Sequence, residues 1–177
     1  MPPGRSKRSR FFRTTARRVV VSGLGCCLLA LAAGCADGPP PMSAEQQAVF
    51  AETVDVELVV PVERNAMNYA VGTVTAPAGA TVRLVIDNTE TSSPAMIHNV
   101  VVVADEGAVD RVGRAGSGAP GAVPAGPGVL VATPLAGPGE RAAVVFVMPP
   151  PGQYPFICTY PGHFQFMQGT LVSTPAE

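Results

Sequence analysis

At 177 residues the chain is long enough for one domain with one core. Nineteen glycines and nineteen prolines, with no tryptophan, argue against a helical bundle and for short strands joined by turns. The net charge of −1 hides a segregation: seven of the twelve basic residues lie in the first 18 positions, and from Cys35 onward five arginines face thirteen acids (5 − 13 = −8), which excludes nucleic acid as a natural partner.

The first element is an export signal, residues 1–34. Residues 5–18 are basic and residues 19–33 form an apolar run of small residues, too short for a comfortable transmembrane helix. The run ends in Leu31-Ala32-Ala33-Gly34-Cys35, which resembles a bacterial lipobox with its leucine one position early. On that reading Cys35 carries the lipid, the signal is cut just before it, and the protein is exported and held on the outer face of a bacterial membrane. The pair Arg17-Arg18 leaves general and twin-arginine export both open. Residues 35–52 then read as the lipid-anchored tether, stiffened by Pro39, Pro40 and Pro41. One or two helical turns fit within 44–52.

From Thr53 the pattern changes. Residues 53–60 alternate and then run apolar. Residues 66–75 and 81–87 are rich in valine, tyrosine and threonine, with an Ala/Pro/Gly turn between them. Residues 97–103 are almost continuously apolar, as in a strand buried on both faces. Residues 141–148 and 152–158 are two further strands split by Pro149-Pro150-Pro151-Gly152, and 169–173 is the last. About seven short strands with turn signals between them predict an all-β sandwich. Residues 104–139 depart from this: a short helix over 105–114 opens a Gly/Pro/Ala-rich excursion.

Four cysteines occur, but Cys26 and Cys27 lie in the signal and Cys35 is the lipid site. Only Cys158 is left in the domain. It is followed by Thr159-Tyr160-Pro161-Gly162, a turn, and then by His163 and Met167. A strand, a tight turn and a return can aim all three side chains at one point. Thiolate, imidazole and thioether form a soft donor set that suits copper better than oxygen-loving ions. The chain has two histidines, and the other is His98 on the buried segment. Taken singly, His98 reads as a core histidine, Met167 and Cys158 as packing and His163 as surface. Together at this spacing they read as one copper site.

Residues 152–172 resemble the ligand loop of azurins and auracyanins, and Met96-Ile97-His98-Asn99 resembles the segment that supplies their first histidine. The resemblance implies a cupredoxin domain over 53–177: a Greek-key β-sandwich with one short helix or irregular flap, holding one type 1 copper. It implies His98, Cys158, His163 and Met167 as ligands, with Asn99 tying the first-histidine segment to the backbone near Cys158 and Thr159. Pro161 removes one backbone donor from the loop. Ile97 stands where azurins have a glycine whose carbonyl approaches the metal, and the azurin disulfide is missing. The function implied is single-electron transfer, not catalysis. A multicopper enzyme needs more histidines, and a binuclear copper centre needs a second cysteine. A copper carrier or store is the alternative, but Met42, Met67, Met96, Met148 and Met167 are scattered. No charged residue occurs from Ala142 to Ala176, which predicts an apolar electron port around a partly exposed His163, with Tyr160, Pro161, Phe164 and Phe166 beside it. The expected partners are a cytochrome or membrane oxidoreductase, met by a monomer whose acidic remainder steers basic partners.

Overall fold

Alternation of valines with polar residues dictates most of the architecture, because successive strand side chains point to opposite faces. The structure is a computed structural model, and it describes residues 42–176. The predicted export signal and Cys35 therefore lie outside the described residues. In chain order the elements are α1 (Ala44–Ala51), β1 (Val56–Pro61), β2 (Thr73–Pro77), β3 (Thr81–Asp87), β4 (Val101–Val103), α2 (Glu106–Gly116), β5 (Val129–Ala132), β6 (Arg141–Val147), β7 (Gly152–Ile157) and β8 (Gln168–Thr174).

The strands form two sheets, one ordered β1-β3-β6 and the other β2-β8-β7-β4-β5. β1 runs parallel to β3 and β2 parallel to β8, while the other pairs are antiparallel. Leu58, Val60, Val82, Leu84 and Ile86 of the first sheet meet Val102, Phe156 and Leu171 of the second in one core. This is the expected β-sandwich. Strand β4 explains its unbroken valine run. Val100 and Val102 join the central core, whereas Val101 and Val103 join Ile157 beneath Val109 and Val112 of α2. Both faces are covered, so both are apolar.

Three expectations need correction. The 66–75 strand begins only at Thr73, because Asn65 turns the chain at φ 54° and Tyr69 dips into the core. The 97–103 strand is regular only from Val101, and His98 instead makes an isolated bridge with Ala136. The excursion contains a strand, β5, pairing with β4 across a bulge at Val102/Val103. The two α-helices among the described residues fall where helical turns were expected, within 44–52 and over 105–114. The first lies in the stretch read as tether and is docked on the sandwich.

Candidate metal centre

Three loops meet at one end of the sandwich. Asn88, just past β3, organises two of them: its buried amide nitrogen lies 2.9–3.1 Å from the carbonyls of Met96, Ala136 and Gly137. Ala136 in turn exchanges both backbone hydrogen bonds with His98, at 3.1 and 2.8 Å. These bonds fix the His98 backbone without a strand. Neither Asn88 nor Ala136 carried a sequence signal, since both act on a residue far away in the chain.

The third loop, 158–167, hangs between β7 and β8. The Cys158 N–H donates to the Met167 carbonyl (3.1 Å), and the Met167 N–H donates to the His163 carbonyl (3.0 Å). Gly162 supports the turn at φ +86°, where a side chain would be strained. Asn99 couples this loop to the His98 segment. Its side-chain oxygen accepts from the Thr159 N–H (2.9 Å), and its amide donates to Thr159 Oγ1 (3.0 Å) and to the Ala122 carbonyl (3.3 Å). Asn99 thus ties the segment carrying His98 to the Thr159 backbone.

Helix α2 closes over the loop. A Cβ on Gly113 would fall 2.3 Å from the Phe164 ring, and one on Gly116 would fall 2.4 Å from Thr159 Cβ. Two glycines three apart on one helix face are the signal that sequence reading missed. They let the helix lie directly on the residues next to His163 and Cys158.

The donors converge. His98 Nδ1 and His163 Nδ1 are 3.2 Å apart, and Cys158 Sγ is 3.9 and 3.6 Å from them. An ion in that triangle about 2.0 Å from each nitrogen, the usual metal–imidazole distance, lies about 2.2 Å from sulfur, so the three fit one metal without rearrangement. Among the described residues these three form a buried group able to hold a metal ion. Met167 is fully buried in the same core cluster as Cys158. Ile97 is half-buried beside His98, and Pro161 is exposed at the turn.

His163 departs from expectation: it is only 4% exposed, with the Tyr160 ring 5.1 Å away. Phe164 also turns inward, under α2. The exposed apolar residues of the ligand loop are therefore Pro161 and Phe166, with Tyr160 half-buried.

Burial sets the protonation states. It pushes the Cys158 thiol up to about 11, against the pull of backbone N–H groups of Asn99 and Tyr160. Burial, with His163 nearby, brings His98 down to about 4, and burial lowers His163 as well. Both imidazoles are neutral at pH 7 and ready to ligate, so metal entry has one proton to displace, from the thiol. The same shift governs acid stability. The unfolded chain protonates His98 near pH 6.5 and the native chain only near 4, so the native apoprotein loses stability as pH falls between those values. The loss should be roughly 2–3 kcal/mol, measured as a lower denaturant midpoint at pH 4.5 than at pH 7. His98→Gln should flatten that dependence.

Comparison with known proteins agrees with this geometry. Residues 56–173 match the family described as copper binding proteins, plastocyanin/azurin family. The chain is 38% identical over 103 residues to auracyanin-A and 33% identical over 131 residues to auracyanin-B, both of Chloroflexus aurantiacus, covering 55% and 71% of this chain. It spans only 62% and 53% of those two relatives' own lengths. Among solved structures, auracyanin B superposes with TM-score 0.63 at 32% identity, covering 70% of this chain and 92% of that one. The reduced auracyanin of Roseiflexus castenholzii gives 0.61 at 30% identity, covering 68% and 97%. A buried two-histidine, one-cysteine triangle at one end of a β-sandwich, matched along two-thirds of the sequence, places the chain in the plastocyanin/azurin family of copper-binding proteins.

Proposed function

We propose that the protein carries single electrons through one type 1 copper that His98, Cys158 and His163 would hold, with Met167 as a weaker fourth donor, on the outer side of a bacterial cytoplasmic membrane to which Cys35 anchors it. The observation that carries this reading is the preformed triangle of three buried donors. Bound there, copper supplies a one-electron Cu(II)/Cu(I) couple.

The chain's own residues do the rest. Asn88, Ala136 and Asn99 fix the ligand backbones from one side and α2 fixes them from the other, so the cage has little freedom to reshape between oxidation states. The Asn99 and Tyr160 N–H groups point at Cys158 sulfur and favour its thiolate. Pro161 and Phe166, exposed in the same loop as His163, offer an uncharged contact surface for a redox partner. No helix among the described residues is long and apolar enough to cross a membrane, and anchoring is assigned to the lipid.

Copper(II) added to the apoprotein should give an intense blue or green colour that bleaches with one electron per copper. A colourless copper complex would sink this reading. Met167→Leu should keep the colour and raise the reduction potential, because a weakly bound thioether would tune the site without holding it. Voltammetry of the two proteins side by side measures that shift.

A further inference from the structure

Strand β1 starts at the end of the sandwich remote from the metal centre, where the Asp55 N–H donates to the Thr81 carbonyl. Entering there directly, the chain would leave its N-terminal segment opposite the ligands. Helix α1 reverses this. Its C-terminal end lies beside Arg83, whose guanidinium donates to the carbonyls of Val49 (3.1 Å) and Glu52. Its N-terminal half lies further along β6, where the Gln46 amide exchanges two hydrogen bonds with Ala143, at 2.7 and 3.2 Å. Met42 and Ser43 reach a cleft of about 540 Å³ walled by Thr89, Pro134, Leu135 and Glu140. Those are loops of the metal end: Leu135 precedes the partner of His98, and Thr89 follows Asn88. From Thr81 to Asp87 the chain has thus travelled back the length of β3, roughly 20 Å.

The docking is specific although the helix buries no residue of its own. Arg83 is 8% exposed and also pairs with Glu57 at 2.7 Å. The Phe50 ring sits against the guanidinium groups of Arg83 and Arg141, at 5.9 and 5.4 Å. A polar clasp that buries so little apolar area contributes little to the core. What it fixes is where the chain leaves.

We infer that α1 delivers the tether at the copper end of the domain, so that the anchored protein presents its copper end to the membrane and exchanges electrons with a redox partner held in that same membrane. This rests on the reading of Cys35 as the lipid site. The seven residues from Cys35 to Met42 span at most about 25 Å, which limits how far that end can stand from the bilayer. In each exchange one electron passes between copper and the partner, one gaining what the other loses.

The chain contains no tryptophan, so a single introduced one reports position cleanly. Phe166 (65% exposed) lies at the copper end, and Val147 (64% exposed) pairs with Thr81 at the other. The lipidated apoprotein, made from the full chain as Phe166→Trp or as Val147→Trp, is bound to phosphatidylcholine vesicles bearing a dansyl headgroup acceptor. Energy transfer should be several-fold more efficient from position 166. Adding Gln46→Ala and Phe50→Ser, which unclasp α1 without touching the ligands, should shrink that difference. Equal transfer from both positions, or stronger transfer from 147, overturns the inference while leaving the copper reading intact. Failure of the protein to float with the vesicles overturns both the anchor and the orientation. As a second readout, the copper-loaded protein on vesicles should be reduced faster by a lipid-linked ferrocene than its unclasped variant, with no difference toward a soluble ferrocene. Equal rates toward the lipid-linked donor would count against the inference.

Discussion

Cys158→Ser should yield a folded protein that has lost its colour. The hydroxyl takes the thiol's place between the same two N–H donors, those of Asn99 and Tyr160. A buried thiol behaves as a small apolar group, and a hydroxyl with hydrogen-bond partners replaces it at a cost of about 1 kcal/mol or less. The copper chemistry has no such substitute. A serine hydroxyl does not ionise near neutral pH and is a hard donor, so the charge-transfer band of a thiolate disappears. Copper affinity should fall by more than the roughly 10–100-fold typical of losing an outer partner. Absorption during copper titration, with a denaturant melt of the same sample, measures both halves. A Cys158→Ser protein that stays intensely coloured would mean that another residue supplies the sulfur.

Asn99→Ala should destabilise the domain and disturb its metal centre together. It removes the acceptor of the Thr159 N–H and the donors to Thr159 Oγ1 and Ala122 O, all buried. A buried N–H left without a partner costs about 1–3 kcal/mol, and the lost network adds to that. We expect about 2–4 kcal/mol in all, read from chemical denaturation of the apoprotein. The same bonds join the His98 segment to the Cys158 loop, so the copper-loaded variant should also show a shifted potential. A variant with unchanged stability would show that the packing of α2 alone holds the loop. Gly116→Ala probes that second restraint: alanine gains about 1 kcal/mol in helix propensity, but overlap with Thr159 costs about 1–3, so the overlap wins.

The site was legible in the sequence because its donors are scarce types crowded into one decade of residues. Cys158, His163 and Met167 set their own register, and His98 followed by count. Most strands were legible because alternation survives wherever one face is buried. What escaped depended on partners distant in the chain. Residue 69 reads as strand, yet the Tyr69 hydroxyl is drawn in to donate to the Asn99 carbonyl at 2.6 Å. β5 is four residues flanked by glycine and proline, and β4 alone makes it a strand. The exposure expected of His163 failed because α2 and Tyr160 cover a loop whose composition resembles surface. The helical turns of α1 were legible but their docking was not, because Arg83, which receives the helix, lies some thirty residues on.

Cys158 is wholly shielded from solvent, and its burial keeps the thiol protonated at neutral pH. A protonated, inaccessible thiol is a poor target for oxidants and for disulfide exchange. On the proposed export, the apoprotein can therefore persist without metal in an oxidising space, neither cross-linked nor over-oxidised. Maturation then turns on how copper reaches sulfur, and the ligand nearest the outside is His163. The loop proposed to pass electrons is thus also the proposed doorway for the ion, and the rate of loading should follow how readily that loop opens.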